Sequence, residues 1–188
     1  YQKLLDEYHK WLSYQKKWKE ERNHSLQSLE FPFFYREGQR KMVSSVYHAI
    51  GASRQIFIQA PTGVGKTMST IFPAVRAVGE GKGETIFYLT AKTITRTVAQ
   101  EAFEVLREKG MKYKVVTITA KEKLCFMDET KCDPVHCPYA RGHFDRVNDA
   151  VYELWTTKSR YDRETIREQA EKWQVCPFEM CLDLSVWV

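Results

Sequence analysis

The run Gln59-Ala60-Pro61-Thr62-Gly63-Val64-Gly65-Lys66-Thr67 constrains this chain more than any other stretch. A glycine-bearing loop that ends in Gly-Lys-Thr is a cradle for phosphate when it joins a buried strand to the helix that begins at its lysine. Both neighbours are predicted. Gln55-Ile-Phe-Ile-Gln59 is β-branched and aromatic enough for a short buried strand, and Thr67 to Val78 suits a helix. Gly63 and Gly65 let the backbone turn its amides inward toward an anion, and the helix adds the positive end of its dipole. The loop residues Thr62, Gly63, Val64 and Gly65 then surround the phosphates of a nucleoside triphosphate. Lys66 reaches the β- and γ-phosphates, and Thr67 holds Mg²⁺ through its hydroxyl. The competing reading is a chance Gly-Lys-Thr on a surface turn, which the strand and helix on either side disfavour. Pro73 lies inside the predicted helix, cannot donate to the Ser69 carbonyl, and is expected to kink it.

A chain of 188 residues can bury one good core plus an appendage, so one α/β domain with an insertion is expected rather than two equal domains. The net charge of +5 permits nucleic acid without establishing it. No segment approaches a membrane span, and the start alternates charged with apolar residues where a signal peptide has an apolar block. A soluble, cytoplasmic protein is the expectation. In that reducing setting five cysteines are expected to be metal ligands or free thiols rather than a disulfide framework.

Leu4, Tyr8, Trp11, Gln15 and Trp18 recur at helical spacing, which predicts an amphipathic helix over the first two dozen residues. After the aromatic turn Phe31 to Tyr35, a second helix is predicted from Glu37 to Ile50, stopping at Gly51. Two further strands are predicted, Thr85 to Leu89 and Lys114 to Ile118. Between them Ile94, Val98, Ala102, Val105 and Leu106 mark a helix that ends at Gly110. Strands alternating with helices imply a parallel sheet whose crossovers bring the active loops to one edge, the plan of a P-loop NTPase.

Beyond Thr119 the pattern changes. Residues 125 to 181 hold every cysteine and show no convincing buried strand, but two helices are predicted. One is centred on Val147, Ala150, Val151 and Leu154. The other starts after Asp162, which is expected to cap it, with Tyr161 and Ile166 as an apolar staple. Cys125, Cys132, Cys137 and Cys176 stand at C-x6-C-x4-C-x38-C, with Cys181 left over, and prolines follow Cys132, Cys137 and Cys176 closely. Thiolate-only ligation favours an iron–sulfur cluster or structural zinc, and the spacing leaves both open. Zinc would pair Cys132 and Cys137 with Cys176 and Cys181. His136 and His143 are possible substitute ligands; solvated loop histidines are the plainer reading.

The motifs together resemble the XPD/DinG-like iron–sulfur DNA helicases of superfamily 2, in particular the bacterial DinG-family branch. They comprise the aromatic turn before Arg36-x-x-Gln39, the Ala-Pro-Thr-Gly-x-Gly-Lys-Thr loop, Tyr88-Leu-Thr-Ala-Lys-Thr93, Thr119-Ala-Lys-Glu-Lys-Leu-Cys125 and the later Cys-Pro pairs. The likeness covers the chain from about Phe31. It implies a RecA-like motor domain carrying a small helical insertion that binds a [4Fe–4S] cluster through Cys125, Cys132, Cys137 and Cys176, with Cys181 the spare. It assigns Arg36 and Gln39 to the adenine of ATP. Thr90, Lys92, Thr93 and Arg96 are assigned to the backbone of single-stranded DNA, against the plainer reading of a capped helix with solvated cations. The run Arg141 to Arg146 is a further candidate for DNA contact.

On this resemblance, residues 1–30 are a helix and linker, 31–123 part of the first motor domain, 124–182 the iron–sulfur insertion and 183–188 the return to the motor. The implied activity is ATP-dependent DNA unwinding, 5′ to 3′, on single-stranded, fork or overhang DNA, in a DNA-repair setting. The chain then reads as a fragment, since the Asp-Glu-Ala-His box and the second motor domain of such helicases do not appear in it. A nuclease-like domain upstream is left open. The rival readings are a zinc-stabilised nucleic-acid-binding or regulatory ATPase module that does not unwind, and a non-helicase P-loop enzyme with a structural metal knob.

Overall fold

The computed structural model describes residues 1–188 apart from Lys92 and the side chain of Thr93. The chain forms two compact units. One is residues 15–113, and the other is residues 1–14 with 114–188. The first helix, α1 (Gln2–Gln27), contributes its C-terminal half to the former and its N-terminal half to the latter.

In the unit of residues 15–113, α2 (Gln39–Gly51), α3 (Lys66–Gly79) and α4 (Thr93–Glu108) follow the predicted order. Because α3 packs against both α2 and α4, it is apolar on more than one face, and Met68, Ile71, Phe72, Val75, Ala77 and Val78 are all buried. It continues through Pro73 to Gly79, so the Ser69 carbonyl lacks its helical donor there. The C-terminal ends of α1 and α3 are tied by three contacts. The Gln27 amide donates to the Gly79 carbonyl at 2.7 Å, and Arg76 donates to the carbonyls of Gln27 and Leu29. A guanidinium on the last carbonyls of α1 also complements that helix's dipole. The fit is close: a Cβ on Gly79 would stand 2.5 Å from that of Leu26. At the end of α4, Gly110 takes φ +97°, and Met111 N–H bonds back to the Leu106 carbonyl at 3.0 Å, the glycine stop expected there.

The predicted strands are where structure and expectation part. Residues 55–59 and 85–89 belong to no β-ladder among the described residues; Phe57 is 94 % exposed and Leu89 88 %. β-branched and aromatic residues favour a pleated, half-covered surface, but a strand forms only against a neighbour that takes its backbone hydrogen bonds. Of the predicted strand 114–118 only β1 (Val115–Val116) remains. Its partner is β2 (Arg160–Tyr161), inside the segment expected to hold no strand, with Val115 opposite Arg160 and Val116 opposite Tyr161 in parallel. The observed architecture is thus mostly helical with a small two-stranded parallel sheet, not the larger parallel sheet expected.

The unit of residues 1–14 and 114–188 adds α5 (Lys121–Leu124), α6 (His143–Thr157), α7 (Arg163–Trp173) and α8 (Pro177–Ser185). Its core is Leu124, Val147, Val151, Leu154, Trp155, Tyr161, Ile166, Val175, Met180 and Leu184. Trp11 stacks on Trp155 with ring centroids 5.6 Å apart, whereas Leu4 and Tyr8 of the same predicted apolar stripe are exposed. Asp162 caps α7 as expected, accepting the Thr165 N–H at 3.0 Å, and Tyr161 and Ile166 are both fully buried. The Lys114 ammonium closes the end of α6 by donating to the carbonyls of Trp155 and Lys158 and to the Tyr161 hydroxyl. Burial lowers its pKa to about 8.

That depressed value gives a pH test. An unfolded chain holds the Lys114 proton up to the ordinary lysine range while the folded unit releases it near pH 8, so folding gains stability as pH rises between them. Parent protein should therefore gain urea resistance relative to Lys114→Met between pH 7 and pH 10. A pH-independent difference between the two would show that the ammonium is not held at a cost.

Candidate functional site

The loop expected to bind nucleotide lies within residues 15–113. Its shape comes from Gly63 at φ +88° and Gly65 at φ +78°, left-handed values that other residues rarely adopt, and Gly65 is the cap from which α3 starts. Lys66 bends back over the loop and donates to the carbonyls of Ala60 at 3.0 Å and Pro61 at 2.8 Å. Thr62 and Gly63 are exposed, while Val64 and Thr67 are half-buried. The first N–H groups of α3, those of Lys66, Thr67 and Met68, have no intrahelical acceptor, and with the Lys66 ammonium beside them such a helix start attracts an anion.

The structure brings Arg36 and Gln39 to this loop. Arg36 donates from its guanidinium to the Gly63 carbonyl. Gln39 is 4 % exposed and accepts the Arg36 N–H through Oε1 at 3.0 Å, while its own N–H returns to the Arg36 carbonyl at 3.0 Å. With its acceptor end so fixed, its amide nitrogen faces the loop: a Cβ on Gly65 would meet it at 2.7 Å. The first turn of α2 and the start of α3 are thus locked together through one side-chain amide. Sequence reasoning singled out Gln39 for nucleotide; its packing against Gly65 carries no sequence signal.

Of the residues expected to meet DNA, Thr90 and Arg96 are half-buried, and Arg96 lies in the first turn of α4 with an Nε that is buried and has no hydrogen-bond partner among the described residues. Lys92 and the side chain of Thr93 lie outside the described residues. In the run 141–146, Phe144 is exposed. Arg146 donates to the carbonyls of Trp173 and Gln174 at the end of α7, and Arg141 to that of Pro134. Both arginines therefore serve local packing.

The cysteines belong to the other unit. Cys125, Cys132, Cys137 and Cys176 line one small, largely apolar cavity with Phe126, Tyr139 and Phe178, and Lys121 reaches it. Cys181 does not line it. That thiol is buried in the helical core, which pushes its pKa up to about 11. Lys121 hydrogen-bonds Cys132 and Glu179, and these partners hold its pKa above the ordinary lysine value. His136 is taken by Asp133 at 2.8 Å and His143 by the Cys176 N–H, and neither lines the cavity. Among the described residues, no three of the His, Cys, Asp and Glu side chains come close enough together to hold a single metal ion. All five cysteines are free thiols. No helix is long and apolar enough to cross a membrane among the described residues.

The family model of the DEAD/DEAH box helicase matches residues 36–139, more than half of the chain, from Arg36 through the loop to Tyr139. The chain belongs to the DEAD/DEAH box helicase family. Membership of this helicase family implies the P-loop, RecA-like class of fold that the loop predicts. A probable ATP-dependent helicase of Methanocaldococcus jannaschii is 29 % identical over 123 residues, 63 % of this chain and 18 % of that relative. The chain thus spans less than a fifth of the length of that relative. No solved structure matches it.

In this helicase domain the Gln39–Gly65 contact can be dissected. Gly65→Ala should cost roughly 1–3 kcal/mol in urea unfolding, from the left-handed φ and from the clash with Gln39. Adding Gln39→Ala should relieve the clash and leave about 1–2 kcal/mol for the φ alone. Strict additivity of the two changes would show that the residues do not touch.

Proposed function

We propose that the chain is part of an ATP-dependent DNA helicase of the iron–sulfur, DinG-like branch of superfamily 2. The observation that carries the branch is the cysteine cavity: four of the five cysteines converge on it, and they are the four that the resemblance names. The fifth is sealed in the core. Zinc paired as C-x4-C with C-x4-C needs Cys181 and has no use for Cys125, the reverse of what lines the cavity. A single zinc also needs all its thiolates about 2.3 Å from one ion. A [4Fe–4S] cluster takes each thiolate on a different iron and so accepts a wider set. The soft, sulfur-only donors and the apolar rim fit such a cluster, which when bound cross-links four points of a small helical unit and stiffens it.

In this reading ATP sits on residues 62–67, with Lys66 on the β- and γ-phosphates and Thr67 on Mg²⁺. Arg36 and Gln39 hold the loop in shape. Recognition of adenine by the Gln39 amide requires that side chain to leave the Arg36 N–H that it now accepts. Thr90, Lys92, Thr93 and Arg96 meet the phosphates of single-stranded DNA, and the cluster-bearing unit parts the duplex at forks or overhangs, with movement 5′ to 3′. A second motor domain completes the machine.

Anaerobically purified protein should be brown and contain iron and acid-labile sulfide in equal amounts. Cys137→Ser should lose both, Cys181→Ser should keep both, and Lys66→Ala should weaken ATP binding while retaining the colour. In the full-length helicase, ATP hydrolysis should rise with single-stranded DNA of any sequence and fall steeply with salt. One zinc per chain, dependent on Cys181 and indifferent to Cys125, overturns the iron–sulfur reading. A marked base-sequence preference at fixed salt overturns the motor reading in favour of a regulatory module.

A further inference from the structure

Two side chains that do not line the cysteine cavity grip the backbone of cysteines that do. His143, the first residue of α6, is 3 % exposed and accepts the Cys176 N–H through Nδ1 at 3.2 Å. An Nδ1 that accepts leaves the ring proton on Nε2, and that atom is buried with no hydrogen-bond partner among the described residues. An unpaired buried donor costs about 1–3 kcal/mol, so the ring is held in this orientation for what its other nitrogen does. From α7, Arg167 donates through Nη1 to the carbonyls of Leu124 at 2.7 Å and Cys125 at 3.0 Å. Its guanidinium also lies over the Phe126 ring, 4.3 Å from the centroid, and Phe126 walls the cavity with Tyr139.

The two gripped cysteines are the ones that most need it. Cys132 and Cys137 share a short loop closed by the Cys137 N–H on the Asp133 carbonyl at 2.9 Å, so their separation is set locally. Cys125 and Cys176 come from segments far apart in sequence. Side chains tie their turns to that loop, Lys121 reaching both Cys132 and Glu179 and Phe126 packing on Tyr139, but no backbone hydrogen bond joins either cysteine to it among the described residues.

We propose that His143 and Arg167 are positioning residues for a thiolate-bound cluster, setting the backbones of Cys176 and Cys125 so that their sulfurs meet it together with Cys132 and Cys137. The proposal rests on the iron–sulfur reading above.

The test uses the full chain reconstituted anaerobically with ferrous iron and sulfide, with urea unfolding of each metal-free protein to verify that it folds. Asparagine places its carbonyl oxygen near the position of histidine Nδ1, whereas glutamine places it near Nε2. His143→Asn should keep the cluster like the parent, and His143→Gln and Arg167→Met should lose it to a chelator roughly 10- to 100-fold faster, with altered electron paramagnetic resonance of the reduced form. Equal retention and unchanged spectra in the Asn and Gln variants and in Arg167→Met overturn the positioning role while leaving the cluster reading intact. Parent protein that takes up no iron and sulfide overturns both.

Discussion

The loop before α3 holds its shape because a glutamine amide is wedged against a glycine that has no room for a methyl group. Gly65 must be left-handed to turn the chain into the helix, and Gln39 occupies the space that a Cβ would need. The same amide accepts the Arg36 N–H, and Arg36 reaches the Gly63 carbonyl. Loop, helix start and the entrance to α2 therefore share one set of polar contacts. The loop keeps its curvature although residues 55–59 join no β-ladder among the described residues.

The cysteine-bearing unit solves a different problem. Its helices are short, and its core is built from a few large residues such as Trp155, Tyr161 and Leu154. Small cores of this kind supply little stability alone. The unit adds polar pegs at its helix ends: Lys114 on the last carbonyls of α6, Arg146 on those of α7, and Asp162 at the start of α7. The cysteine cavity lies beside that core, where turns rather than helices supply the sulfurs.

Helices were legible in the sequence because their evidence is local. Period 3.6 located α1, α2, α4 and α6, Asp162 announced α7, and Gly51 and Gly110 marked two ends. α8 was not foreseen: it is brief, begins at Pro177 and carries three of the unit's core residues, Met180, Cys181 and Leu184, without a readable period. Strands were misjudged for the opposite reason. Residues 55–59 and 85–89 have strand composition, yet pairing depends on partners distant in sequence, and β2 pairs with β1 despite offering only Arg160 and Tyr161. The loop's glycines and lysine were readable from spacing, whereas spacing left open whether Cys125 or Cys181 joins Cys132, Cys137 and Cys176, and only the resemblance chose Cys125. What lay beyond reach was the inward-turned amide of Gln39 and the hydrogen bonds of His143 and Arg167 to the backbone around Cys176 and Cys125. These are long-range contacts of ordinary residue types.

Two glycines in residues 15–113 are crowded, and they differ in how a chain can drift around them. At Gly65 the obstacle is the far end of a long side chain, so shortening residue 39 opens space, and the left-handed φ of +78° is then what still favours glycine. At Gly79 the obstacles are the Cβ of residue 26 and the backbone of residues 26 and 27, atoms that every non-glycine residue at 26 also has. No change of side-chain size at 26 makes room. Where descendants of this chain retain the crossing of α1 and α3, position 79 is closed to every side chain, while the crowding at position 65 can be relieved from residue 39 and leaves only a backbone preference for glycine.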